Sequence, residues 1–284
     1  MGKYVIDETT LTAIGDSIRE KEGTTEAVPV TEMAGRIAAI TTAEDKMTLT
    51  AVGNTVQTEI ERYAYSEATA LKYVDFPNVT TVGGYAFKAA TALETVNLPE
   101  FTTAIGAFDG CSALKSVNLP KIKSVGQYLF RGCSSLSGDL GDIIPIQNLE
   151  YISNGGFEKC TSLKTVNLQD TSQVKGSSFY GCTALESAEF AKVTDVPAKV
   201  FRGCTVLKTV KLPVAEFIGF QAFRDCVSLQ YVDFSGCSAV PTLEDVDAFQ
   251  NVPASCSIKV PSALLSAWKT ADNWSTYANQ IVGV

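Results

Sequence analysis

Apolar residues fall at a fixed phase through most of this chain. An aromatic residue opens each unit, at Tyr65, Phe87, Phe108, Phe130, Phe157, Phe179, Phe201 and Phe223, with separations of 22, 21, 22, 27, 22, 22 and 22 residues. Six residues after each stands a leucine: Leu71, Leu93, Leu114, Leu136, Leu163, Leu185, Leu207 and Leu229. The unit reads aromatic-x-x-(Cys/Ala)-x-x-Leu-x-x-Val-x-(Leu/Phe)-Pro. Leucine occupies roughly one position in ten of an average protein, so eight matches in eight are not chance, and a repeat of this period predicts a solenoid. Within each unit Leu-x-x-Val-x-Leu predicts a short strand, as in Leu93-Glu94-Thr95-Val96-Asn97-Leu98. Its first, fourth and sixth residues turn inward; the third and fifth turn out from a parallel sheet on the concave face. Pro99, Pro120 and Pro213 end their strands, because proline donates nothing to the ladder. The return path runs through Val82, Val125, Ile152, Val174, Val196 and Ile218. It is too short for a helix of several turns, which predicts turns and brief 3₁₀ pieces on the convex side.

The flanks break the period and set the domain organisation. Residues 1–40 form a short helical segment: Leu11, Ile14 and Ile18 recur at helical spacing, and Pro29 precedes a second helix from Thr31 to Ile40. Two such helices hold no core of their own. They are expected to dock on the first rung, on another copy in a homo-oligomer, or on a larger assembly. Residues 41–62 read as a strand cap, since Met47 to Val52 alternates before Gly53-Asn54. Residues 63–235 are the solenoid. Residues 236–284 are a degenerate last rung, with Ser255 in the leucine place, followed by a helical cap from Ala263 to Lys269 in which Trp268 and Trp274 shield the core end. The 27-residue spacing marks an insertion at 137–148, where Asp139 and Gly141 stand in place of Val and Leu. A bulged or extended rung near Ile143-Ile144-Pro145 is expected there.

Composition removes most chemistries. The chain has 284 residues and no histidine, which excludes Ser-His-Asp and Cys-His catalysis and every His-ligated metal site. No catalytic residue, metal site or cofactor is expected. The net charge of −8 argues against a nucleic-acid partner, which needs a basic stripe. No apolar run reaches membrane-spanning length, and Met1 to Asp16 lacks the pattern of a secretory signal, so synthesis in a cytoplasm is expected. Of eight cysteines, Cys111, Cys133, Cys160, Cys182, Cys204 and Cys226 stand three residues after an aromatic, where Ala68 and Ala90 stand in the first two units. A place shared by Cys and Ala wants a small buried side chain. Free thiols in a column, about 4.8 Å apart at strand spacing, are predicted. Cys237 and Cys256 lie outside that column.

The outward strand positions are the candidate binding residues. The third positions are Tyr73, Thr95, Ser116, Thr165, Ser187, Thr209 and Tyr231; the fifth are Asp75, Asn97, Asn118, Asn167, Glu189, Lys211 and Asp233. One column is mostly small hydroxyls and its neighbour amides and carboxylates. This reads as a polar groove with aromatic ends, suited to a glycan or an extended peptide, or as a solvated sheet face whose Thr, Ser and Asn stack between rungs. Arg131, Arg202 and Arg224 form a short basic ridge interrupted by Asp109 and Glu158, which reads as a solvated face. Glu244, Asp245 and Asp247 match no Ca²⁺ loop.

The unit, as in Ala222-Phe223-Arg224-Asp225-Cys226-Val227-Ser228-Leu229 and Gly181-Cys182-Thr183-Ala184-Leu185, resembles the BspA-like leucine-rich repeats of bacteria over about residues 63–260. The resemblance implies an α/β leucine-rich-repeat solenoid, right-handed, with a surface-associated binding role and no catalytic residue. The ends are similar to a narrower set. Leu11-Thr12-Ala13-Ile14-Gly15-Asp16-Ser17-Ile18-Arg19-Glu20-Lys21 with Met33-Ala34-Gly35-Arg36-Ile37, and Pro261 to Lys269 with Asn273 to Tyr277, look like segments of phage and prophage tail-associated proteins of Gram-positive hosts. That likeness implies a virion protein released by lysis whose partner is a protein or glycan on a cell surface. Display on a bacterial cell surface is the alternative.

Overall fold

The computed structural model describes residues 51–53 and 56–284. The helices predicted within residues 1–40, and residues 41–50 of the predicted strand cap, lie outside the described residues.

Each repeat contributes one short strand to a parallel ladder, and the predicted faces hold. In Leu163–Leu168 the first, fourth and sixth residues are buried. Register runs straight between units, with Thr165 opposite Ser187, Ser187 opposite Thr209, and Thr209 opposite Tyr231. Ala51–Gly53 pairs with Tyr73–Asp75, so Gly53 is the last residue of a strand; Asn54, the other half of the turn read from Gly53-Asn54, lies outside the described residues.

The ladder is not continuous. It divides into four strands (Ala51–Gly53, Tyr73–Asp75, Thr95–Asn97, Ser116–Asn118) and seven that run from Gly138–Asp139 to Ile281–Gly283. The break falls at the insertion. After Gly138–Asp139 the chain turns into a one-turn helix, Leu140–Ile143, and then a 3₁₀ turn, Ile146–Asn148. The rung is extended, as expected near Ile143-Ile144-Pro145, and the pairing of Gly138–Asp139 with Leu163–Leu168 shifts register; the extra length is a helical turn and a 3₁₀ turn. The reason is packing: Leu140 and Ile144 are buried and fill the core where Asp139 and Gly141 cannot.

The return path also differs from expectation. Instead of turns alone it carries two-residue strands, such as Thr81–Val82, Tyr151–Ile152, Gln173–Val174 and Phe217–Ile218, in parallel ladders of two or three. Their second residues are the apolar positions seen in the sequence, and each is buried. Between this path and the main sheet runs a stack of rings, from Tyr65 and Phe87 to Phe223 and Phe249, with neighbouring centroids 4.9 to 5.9 Å apart. Offset pairs of this kind contribute about 0.5–1.5 kcal/mol each beyond their buried area.

The turn around each ring repeats an unusual backbone. Residues two before and two after the ring are left-handed in all eight units, as at Tyr85 and Ala89, Lys199 and Gly203, or Gln221 and Asp225. The cause is hydrogen bonding. Tyr85, Phe87 and Ala89 each donate their backbone N–H to the next rung, to the carbonyls of Ile105, Ala107 and Asp109. Alternating left-handed residues aim three successive odd-numbered amides the same way, so buried backbone groups are satisfied between units.

At the C-terminal end Cys256, not Ser255, takes the buried place in the degenerate last rung. A 3₁₀ turn, Ser262–Leu264, leads into the helix Leu265–Thr270. Trp268 and Trp274 are fully buried against Phe234, with Trp274 Nε1 donating to the Pro241 carbonyl at 2.7 Å.

Candidate functional site

The outward strand positions line one open face of the main sheet, and the structure sorts them into two stretches. In the four-stranded part the fifth positions form a directional chain. Asn118 Nδ2 donates to Asn97 Oδ1, and Asn97 Nδ2 to Asp75 Oδ1, both at 2.6 Å. Asp75 and Asn97 are buried, contrary to the solvated column read from the sequence. Burial raises the Asp75 carboxyl above its ordinary value, and the Asn97 hydrogen bond partly offsets this. Tyr73, Thr95 and Ser116 stand beside them on the same strands, Tyr73 half-buried and the other two exposed. Asp75, Asn97 and Asn118 are committed to one another.

The seven-stranded part is more open. Thr165, Ser187, Thr209 and Tyr231 form a half-buried row, with Asn167, Glu189, Lys211 and Asp233 beside it. Lys211 Nζ meets Glu189 Oε2 at 3.1 Å; Gln169 Nε2 donates to Asn167 Oδ1 and, at 3.4 Å, to Glu189 Oε1. Glu189 and its hydrogen-bonded partnership raise the Lys211 ammonium above its ordinary value. Asp233 Oδ1 accepts the Ser235 N–H, and Lys259 Nζ lies 3.7 Å from the centre of the Tyr231 ring.

The insertion turns this face into a cleft. The helix Leu140–Ile143 stands beside the strand Leu163–Leu168 and walls a space of about 490 Å³. Asp139, Asp142 and Ile146 border it on the insertion side; Thr165, Ser187 and Thr209 form its floor. Asp139 precedes the helix but does not cap it, because its Oδ1 accepts the Thr165 hydroxyl at 2.5 Å. That bond ties the wall to the floor. A cleft of this size falls in the range of small-ligand sites. No signal for it was legible beyond the broken phase, since a single helical turn has no period.

The remaining candidates resolve into structural roles. Arg131 donates Nε and Nη2 to both Asp109 oxygens, at 2.8 and 2.6 Å, and its guanidinium lies 4.2 Å from the Tyr128 ring centre. Arg202 Nη1 donates to Gln221 Oε1 at 2.6 Å. In the acidic cluster, Asp245 caps the 3₁₀ turn Val246–Phe249 through the Asp247 N–H, and Glu244 Oε2 accepts the Phe220 N–H. Among the described residues no group of His, Cys, Asp and Glu could hold a metal ion.

All eight cysteines are buried as free thiols. The column carries a bond the sequence did not reveal: Cys111, Cys133, Cys160, Cys182, Cys204 and Cys226 each point Sγ at the carbonyl of the preceding unit's aromatic residue, at 3.1 Å. Burial pushes the Cys182 thiol up to about 12 and Cys237 and Cys256 to about 11. These thiols are neither nucleophiles nor ligands at neutral pH, because the reactive form is the thiolate.

A parallel-sheet solenoid with leucine at a fixed place in every rung defines a leucine-rich-repeat protein. Residues 58–186 and 137–253 match the BspA type leucine rich repeat region, in six copies, and the chain belongs to that family. A leucine-rich repeat protein from Bacteroides ovatus has the same fold, with TM-score 0.50 and 20% identity over 84% of each chain. A leucine rich cell surface protein from Faecalibacterium prausnitzii is 19% identical over 83% of each chain, with TM-score 0.40. The T. pallidum leucine rich repeat protein is 23% identical over 63% of this chain and 78% of its own, with TM-score 0.45. No curated protein matches the chain in sequence. The matches indicate no enzymatic family.

Proposed function

We propose that this chain is a non-enzymatic binding module of a phage or prophage tail, or of its accessory structures, that recognises a protein or glycan on the surface of a Gram-positive host. The observation that carries the binding role is the open face of the main sheet: a rigid, polar, regularly spaced array with one cleft at Asp139 to Lys211. A rigid solenoid face is what repeat proteins of this architecture use for recognition. The tail setting rests on the likeness of residues 11–37 and 261–277 to tail-associated segments. Among the described residues no helix is long and apolar enough to cross a membrane. Membership of the BspA type family favours a second setting, an adhesin-type module at a bacterial cell surface.

Mass spectrometry of purified virions, beside surface-shaved cells of an uninduced lysogen, separates the two. The tail reading expects the protein in virions and not among shaved surface peptides. Its absence from virions sinks that reading, and its presence on uninduced cells supports the adhesin.

A further inference from the structure

We infer that the cleft walled by the insertion binds a neutral oligosaccharide of about three sugar units. This rests on the binding-module reading and names its ligand class. The floor runs over Thr165, Ser187 and Thr209, whose side chains are among the smallest on the sheet, and is closed at one end by the helix Leu140–Ile143. At the other end the next rung carries Tyr231 with Lys259 against its ring, 3.7 Å from the centroid. From Thr165 to Tyr231 is three rung spacings, about 14 Å. One rung is close to the length of one sugar ring in a glycan chain, so the floor takes about three.

The lining decides between ligand chemistries. A peptide held by its backbone needs an open strand edge. Here the floor strands are paired on both sides, from Gly138–Asp139 through Leu163–Leu168, Ser187–Phe190 and Thr209–Lys211 to Tyr231–Asp233, so the floor offers no edge; the edge at Gly138–Asp139 is two residues long and runs straight into the helix. Val166 and Ala188 line the floor too but are buried, so they offer no open apolar socket for a side-chain anchor. What it does present is small hydroxyls, of which Ser187 and Thr209 have no hydrogen-bond partner among the described residues, beside the Asn167 amide and the Glu189 carboxylate. Hydroxyl and amide groups both donate to and accept from a sugar's hydroxyls, and a carboxylate accepts from them.

Charge excludes the acidic alternatives. Over the floor as far as Tyr231, Asp139, Asp142, Glu189 and Asp233 stand against Lys211 and Lys259, four carboxylates to two ammoniums, and the Lys211 ammonium is already paired with Glu189. Uronic acids, phosphate-bearing wall polymers and nucleic acids meet net repulsion there. A neutral ligand also makes binding nearly insensitive to salt, since no interaction between net charges is screened.

The test is calorimetric titration of the whole chain with di- to hexasaccharides of N-acetylglucosamine, glucose and galactose, and with galacturonate oligomers as the acidic series. At least one neutral series binds, with affinity rising to the trisaccharide and flat beyond it, and the acidic series does not. Thr209→Arg, which fills the floor, weakens binding about tenfold or more, while Gln173→Arg on the opposite path does not. Equal melting temperatures of the variants exclude misfolding. Preference for the acidic series, no binding by any neutral series, or undiminished binding by Thr209→Arg overturns the proposal. Cytometry of the labelled protein on intact Gram-positive cells runs alongside. If cells bind while every oligosaccharide fails, the ligand class falls and the binding-module reading stands. If cells are not bound either, both fall.

Discussion

At the residue scale each unit spends its large apolar side chains on the core and leaves the outward positions polar or small, apart from Tyr73 and Tyr231. Leu163 is fully buried with a rung on either side, so Leu163→Ala removes packing that cannot collapse and should cost about 2–5 kcal/mol by urea unfolding. Thr165→Ala, one position outside the core, should cost about 1 kcal/mol or less, its hydroxyl being bound to Asp139 but half exposed. Equal losses would mean the strand faces are wrongly assigned. The left-handed Ala89 stands where four other units have Gly110, Gly132, Gly181 and Gly203. Left-handed backbone costs a side chain roughly 1–2 kcal/mol, partly offset by the entropy glycine loses on folding, so Ala89→Gly should stabilise by a few tenths to about 1 kcal/mol. A lower urea midpoint for that variant would contradict the strain argument.

The thiols give a pH prediction at the same scale. Burial raises Cys182 from an ordinary 9.0 to about 12, so the folded chain holds a proton that the unfolded chain releases. That contribution is fully present below pH 9 and is lost as pH climbs towards 12. Cys182→Ala removes it. The Phe157 carbonyl keeps the Cys160 N–H, so the substitution itself is mild, about 1 kcal/mol or less. The stability gap between wild type and variant should therefore shrink from about pH 8 and reverse in sign by about pH 10.5. Parallel pH curves would show that the thiol already ionises in the folded state.

At the element scale the strand, the ring stack and the small Cys/Ala place were legible because each is one residue type recurring at one phase. The return strands were not, since a two-residue strand such as Gln173–Val174 has no alternation to detect. Nor were the left-handed columns, which hold Tyr85, Ser177, Lys199 and Gln221 where a sequence reader looks for glycine or asparagine. Lateral amide-to-carbonyl bonds between rungs enforce that backbone, and only the stacked structure reveals them. The insertion showed itself as a lost phase, but Leu140 and Ile144 gave no period to say that a helical turn fills the core there. Of the outward positions, those at 165–211 line the cleft, whereas Asp75 and Asn97 are buried in a side-chain chain of their own. The wall hangs on few bonds. Asp139→Ala should speed exchange of the Ile144 amide, which closes the helical turn on the Leu140 carbonyl, while leaving Leu163–Leu168 protected, as expected of local opening. Unchanged exchange at Ile144 would show that the Thr165–Asp139 bond does not hold the helix.

At the scale of the whole molecule the chain is a one-dimensional stack in which each rung touches only its neighbours, so its ends decide its integrity. The C-terminal end is sealed by Trp268 and Trp274, whose ring centroids lie 4.6 Å apart. The same regularity presents a polar face several rungs long, interrupted once by the insertion, and that face is the proposed binding surface. The most direct test is equilibrium binding of labelled protein to intact Gram-positive cells, comparing wild type with two variants of equal added charge. Ser187→Arg stands on the open face, and Gln173→Arg on the return path. Ser187→Arg should lose binding about tenfold or more and Gln173→Arg should lose none. Retention by Ser187→Arg, or loss by Gln173→Arg alone, would place the binding surface elsewhere.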